Sequence, residues 1–134
     1  MANPNIVNVT SIYGNTAYVI PSTTSATTSW TYNGTTSLTG LTPAASTVNR
    51  VTSLTVSNTT SSAATATVGI GNNATFGSAT VVSYAAYQIS VPANSTLVVI
   101  DKTTPLYITE NQSVGVTSGT GSALVYVATF EAIS

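Results

Sequence analysis

The chain has 134 residues, 43% of them hydrophobic, which is enough apolar material for one domain with a packed core and excludes a disordered polymer. Charged residues make up only 4%, against about 25% in an ordinary soluble domain, and the net charge is −1. With two cations in all, recognition of nucleic acid through phosphate neutralisation has no material to work with.

Helix signals are nearly missing, and short alternating runs rich in Thr, Val, Ser and Ala are separated by Gly, Asn, Pro and Ser clusters. IVNVTSI (Ile6 to Ile12) and TAYVI (Thr16 to Ile20) flank Gly14-Asn15 and predict a hairpin that Pro21 ends. The Ser/Thr-rich stretch from Ser22 to Thr47 predicts a loop or arm. Within it, SWTY and TTSL flank Asn33-Gly34, a type I′ turn pair, and predict a small hairpin. RVTSLTVSN (Arg50 to Asn58) puts Leu54 and Val56 on one side, with Val51, Ser53 and Thr55 opposite. After the Thr59 to Ser62 loop, AATATVGIG puts Ala64, Ala66, Val68 and Ile70 on one side and Thr65 and Thr67 on the other. The two runs are expected to pair as neighbours of a meander with one core face. GNNATFGSA (Gly71 to Ala79) is a loop, and a strand from about Tyr84 to Val91 stops at Pro92. STLVVI (Ser95 to Ile100), PLYIT and SVGVTS follow, with turns at Asp101-Lys102, Pro105, Glu110 to Gln112 and Gly119 to Gly121. The expected fold is all-β: a single antiparallel β-sandwich over residues 1–134, jelly-roll-like, of roughly eight to ten strands.

The closing run, SALVYVATFEAIS, raises a question of its own. Alternate residues place Leu124, Tyr126, Ala128, Phe130 and Ala132 on one side. The other side carries Val125, Val127, Thr129, Glu131 and Ile133. Both sides are largely apolar, whereas a half-solvated sheet shows one apolar and one wet side. Something must cover the second side: the other sheet's edge loops, or a neighbouring subunit.

The charged residues are Arg50, Asp101, Lys102, Glu110 and Glu131. A surface this neutral is poorly protected from self-association, and it fits a subunit of a polymer or particle better than a free cytosolic monomer. Histidine is absent, which removes the usual general base, the commonest metal ligand and the Ser-His-Asp triad together. Cysteine is absent too, so there is no disulfide framework, thiol nucleophile or zinc cluster. Asp101 and Glu110 lie at the two ends of one short strand-turn segment. A glycosidase needs such a pair across a cleft, but a turn residue and a strand-end charge are the favoured reading. Lys102, beside Asp101 in the same turn, is expected to be an exposed, salt-paired side chain and not half of a Ser–Lys dyad. GIGNN and SGTGS lack the Lys-Ser/Thr and the helix of a phosphate loop. A single Asp makes no calcium site. MANPNIVNV has none of the features of a Sec signal peptide, so the Asn-x-Ser/Thr triplets at Asn8, Asn33, Asn58, Asn73, Asn94 and Asn111 are read as chance products of composition. No run reaches the length of a membrane helix, and the strands are too short for a membrane barrel. No catalytic, cofactor or metal residue is therefore assigned, and neither nucleic acid nor membrane is expected as a partner. Trp30 and Tyr32 share a face of the small hairpin. They are read as core aromatics first, then as interface anchors or a sugar platform.

Three stretches resemble one family. NPNIVNVTSIYGNTAYVIP, VNRVTSLTVSNTTSSAATATVGI and ISVPANSTLVVIDKTTPLYITENQSVGVTSGTGSALVYVATFEAIS are similar to small virion structural proteins of tailed bacteriophages, especially those infecting marine cyanobacteria. The resemblance covers both ends and the middle and is weakest from Ser22 to Thr47. It implies a non-enzymatic β-sandwich subunit made in the host cytoplasm and carried on the virion, as a capsid decoration or cement protein. It further implies a homo-oligomer, a trimer, bridging copies of the major capsid protein or other virion proteins. Trp30, Tyr32, Tyr126 and Phe130 are the candidate interface residues. The alternative is a receptor- or carbohydrate-binding module of a tail fibre or adhesin, with Trp30 and Tyr32 as its platform.

Overall fold

Valine, threonine and isoleucine fill the alternating runs, and their branched Cβ atoms favour a pleated surface over a helix. The structure, a computed structural model, describes residues 8–32, 34, 36–74 and 81–134, with the backbone alone at 81 and 82. Among these residues there are ten strands and no helix. They are β1 (Ile12–Val19), β2 (Ser29–Tyr32), β3 (Thr36–Thr39), β4 (Val48–Asn58) and β5 (Ala64–Gly71). Then come β6 (Val81–Val91), β7 (Thr96–Ile100), β8 (Leu106–Ile108), β9 (Ser113–Ser118) and β10 (Leu124–Ile133).

The strands form two antiparallel sheets packed as a sandwich. The larger has seven strands in the order β3-β2-β1-β10-β4-β7, with β8 pairing the other end of β4. The smaller is β6-β5-β9, and Thr27 adds an antiparallel bridge to Val116 on the far side of β9. One sheet thus carries β1, β10, β4 and β7 side by side, and the other carries the Thr27 segment, β9, β5 and β6. That is the strand order of a jelly roll, to which the β2–β3 hairpin is added beside β1.

The core lies between the sheets. Val51, Leu54, Val56, Leu124, Tyr126 and Ala128 face it from the large sheet, and Ala64, Ala66, Val68, Val114 and Val116 from the small one. Two buried donors cross it to the same strand. Trp30 Nε1 donates to the Val114 carbonyl at 3.3 Å, and Tyr126 Oη donates to the Thr117 carbonyl at 2.6 Å. Leu41 packs into the same core, and Asn49 Nδ2 donates to its carbonyl at 2.8 Å.

Several expectations are corrected. Gly14 and Asn15 do not turn the chain: β1 runs through them, pairing with Glu131 and Phe130 of β10. A full-length partner strand gives these residues ladder hydrogen bonds that a turn would forgo. The part of the expected first strand at residues 6–7 lies outside the described residues. The β2–β3 hairpin is present, but Tyr32 pairs with Thr36, so its connection has three residues and not two. Gly34 there has φ +79°, the left-handed conformation such a loop uses. Asn33 and Thr35 lie outside the described residues, as does the end of the Gly71 to Ala79 loop. The segment 22–47 is built into the body through Trp30, Leu41 and the Thr27 bridge. Val51 faces the core with Leu54 and Val56, because a bulge at the Thr129/Phe130 step of the β4–β10 pairing inserts Thr52 and flips the alternation. Nor do β4 and β5 pair. Asn58 turns the corner between the sheets, its Nδ2 donating to the Ser62 and Val91 carbonyls and its Oδ1 accepting from Thr60 N.

Burial pushes the Tyr126 phenol above its ordinary pKa. The folded state keeps that proton after the unfolded chain has released it. The stability it represents is complete below about pH 10 and declines as pH rises further, by about 1.4 kcal/mol per pH unit. Chemical denaturation across alkaline pH should show this one-proton slope, and Tyr126→Phe should lose it while costing about 1–2 kcal/mol at neutral pH through the orphaned Thr117 carbonyl. Gly40 has φ +62°, and a Cβ there would sit 2.6 Å from Ser113 Cβ. Gly40→Ala should therefore destabilise by about 1–3 kcal/mol in the same assay.

Candidate functional site

β10 answers for its first face inside the chain. Leu124, Tyr126, Ala128 and Phe130 are buried beneath the small sheet. Its second face turns away from the small sheet, with Thr129 exposed, Val125, Val127 and Glu131 half-buried and Ile133 buried, and no layer of described strands lies over it. There the cross-strand register aligns Ser37, Thr31, Tyr18, Val127, Thr55 and Val98 in one row across six strands. Val98 is 59% exposed and Tyr18 43%. Ile12, Ile20 and Tyr107 are exposed as well. A second row opposes Gly14, Glu131, Arg50 and Tyr107. In it Arg50 Nη1 meets Glu131 Oε2 at 3.2 Å, and Arg50 Nε is buried with no hydrogen-bond partner. Half-exposed ion pairs of this kind stabilise little, about 0–1 kcal/mol.

The four aromatic candidates all belong to the inner side. Trp30 and Tyr126 are fully buried and Phe130 is 2% exposed, so in the folded chain they have no exposed surface to offer a neighbour or a sugar. Their volume and their donors are used between the sheets. Tyr32 is half-buried and meets Phe130 edge-on, ring centroids 6.4 Å apart. These two line a cavity of about 320 Å³ at one end of the sandwich, with Tyr13, Leu38 and Pro43 at its rim.

Asp101 is a turn residue. Its Oδ1 accepts from Thr103 N at 2.8 Å, from the Thr103 hydroxyl and from the Thr104 hydroxyl. The Thr103 hydroxyl, then its backbone, holds the carboxyl below the ordinary aspartate range. Lys102 is exposed in the same turn, and Glu110 is half-buried beyond β8. Among the described residues no three His, Cys, Asp or Glu side chains gather where a metal could sit. No described helix is long and apolar enough to cross a membrane.

A further concavity, which sequence reasoning missed, lies on the outer face of the small sheet. Gly69 of β5 sits between Gly115 of β9 and Tyr84 of β6. Both glycines are buried at the floor, covered by their neighbours. Thr67 and Thr117 pair beside them. Tyr84 and Tyr87 stand along one wall, 51% and 57% exposed, their ring centroids 4.8 Å apart at 62°. Ala26, brought alongside by the Thr27 bridge, edges the other wall of this trough of about 250 Å³. Residues three apart on a regular strand point to opposite faces. Here irregular pairing at Ala66/Val68 and Val68/Gly69, with Gln88 at φ +49°, turns both rings the same way. Simple alternation hides such a pair; only the spacing Tyr-Ala-Ala-Tyr within a strand run was available as a signal.

Neither a protein-family model nor a curated protein nor a solved structure matches this chain.

The Asp101 turn carries its own test. Its carboxylate bonds are present at neutral pH and are lost as pH falls through a folded-state midpoint below the ordinary aspartate value. A carboxyl-carbon NMR titration should show that depressed midpoint, and Thr103→Val should move it back upward.

Proposed function

We propose that this chain is a non-enzymatic structural subunit of a phage virion, a capsid decoration or cement protein that stabilises the shell as a homo-oligomer, with a trimer favoured. The observation that supports this best is the outward face of the seven-stranded sheet. It is broad, carries the single Arg50–Glu131 ion pair and is studded with Tyr18, Val98, Ile12 and Tyr107. Six strands at the usual spacing make a row about 24 Å wide, and the ten residues of β10 run about 30 Å, an area of about 700 Å². That is close to the roughly 800 Å² per partner of a standard stable interface. Apolar burial at about 25 cal/mol per Å² is then the driving force, and charge has little part in it. Attachment to the shell follows the same logic, through apolar contact and main-chain hydrogen bonds at sheet edges. The jelly-roll order agrees as an analogy at the level of fold, since viral capsid proteins use it and so do lectins. The resemblance noted in the sequence points the same way. Its partners are copies of itself and the major capsid protein or another virion protein, with no cofactor. The second reading, a receptor- or carbohydrate-binding module of a tail fibre or adhesin, draws support from the Tyr84–Tyr87 trough and none from Trp30.

Light scattering should give a stable oligomer, and the protein should co-sediment at saturating stoichiometry with phage shells stripped of accessory proteins. Tyr18→Lys combined with Val98→Lys should leave the unfolding midpoint within about 0.5 kcal/mol, since both side chains are exposed, yet yield a monomer. A wild-type monomer that stays at the top of the gradient would overturn the proposal.

A further inference from the structure

We propose that the trough over Gly69 and Gly115 is a binding site for a neutral carbohydrate, with Tyr84 and Tyr87 as its stacking wall. The inference goes beyond the structural role and does not depend on it. The electron-rich face of an aromatic ring attracts the weakly positive C–H groups on the flat side of a pyranose. Two rings at 62° make a corner: one supplies a face to stack on and the other closes the side. Gly69 and Gly115 are buried at the bottom of the trough, so a ligand would meet its walls, Tyr84, Tyr87, Gln88, Thr67 and Thr117.

The polar groups fit the same ligand. Thr67 Oγ1 accepts from Gln88 N at 3.0 Å, which leaves its hydroxyl proton to donate outward. Thr67, Thr117, Gln88 and the two phenols all line the trough, and each both donates and accepts, as sugar hydroxyls do. No charged side chain is among the described lining. A phosphate, a nucleic acid or an acidic peptide would find no ionic partner there. A few polar groups set among apolar walls in a shallow concavity is the usual composition of a small-ligand site.

The backbone supplies the independent observation. Holding a glutamine at φ +49° and breaking the β5–β6 ladder cost conformational energy. Bulges of this type re-aim side chains beside binding sites. Here the result of the irregularity is the exposed tyrosine pair, which contributes nothing to the core.

The test is affinity electrophoresis of the full chain in gels containing dextran, galactomannan, a soluble β-glucan or, as the anionic control, dextran sulfate. Retained polysaccharides are followed by NMR titration with the matching methyl glycosides. Retardation by at least one neutral polymer is expected, with amide shifts centred on Thr67, Tyr84, Tyr87 and Thr117. Tyr84→Ala and Tyr87→Ala should each weaken binding by about tenfold or more, as expected for loss of a stacking aromatic. Tyr13→Ala, a change at an exposed tyrosine on the other sheet, should bind as the wild type does. If either trough variant unfolds, the wild-type shift map decides alone. Retardation by dextran sulfate only, by none of the neutral polymers, or with shifts away from the trough overturns the proposal.

Discussion

Two hydrogen bonds across the core hold this sandwich in register. Trp30 and Tyr126 stand on the large sheet, and both donate to backbone carbonyls of β9 in the small one. Apolar packing between two sheets is non-directional, so it fixes their separation better than their alignment. A buried N–H or O–H with one available acceptor does fix alignment, because leaving it unmade costs the full desolvation of the group. The three-stranded layer therefore has a defined place over the seven-stranded one, and both aromatic side chains are occupied in keeping it there.

Local irregularities then decide what each face shows. In β4, the extra residue Thr52 lets Val51 join Leu54 and Val56 in the core. In β6, the break around Gln88 does the reverse and sends Tyr84 and Tyr87 outward together. One bulge completes the interior, and the other builds a surface. A strand that kept strict alternation in either place would lose a core valine or the paired tyrosines.

The scarcity of charge gives these surfaces their meaning. A face with one half-exposed ion pair and several large apolar side chains gains by being covered. A trough lined by hydroxyls, an amide and two rings has no preference for ions. The same composition thus suits assembly on the broad sheet and recognition of an uncharged ligand on the narrow one. The two surfaces lie on opposite outer faces of the sandwich, so a subunit packed through the large sheet still presents the trough.

The all-β class, most strand positions and the two-sided apolar character of the last strand were determined by sequence alone. They depend on local terms: β-branched content, turn residues, Pro21 and Pro92 as stops, and the period-2 pattern of Leu124 to Ile133. The absence of histidine and cysteine likewise narrowed the chemistry before any fold was known. Tertiary structure decided the rest. Gly14-Asn15 looked like a turn and became mid-strand because β10 lay alongside to pair with it. β4 and β5 looked like neighbours and were parted by Asn58, whose partners Ser62 and Val91 come together only in the fold. Trp30 was read as a core aromatic first, with an interface or sugar platform as the alternatives, and a carbonyl of β9, 84 residues away, receives its N–H inside. The tyrosine trough was least legible of all, since it needs three strands, a pair of facing glycines and a bulge. Pairing partners and bulges are set by contacts between distant segments, and a one-residue shift moves every following side chain to the other face.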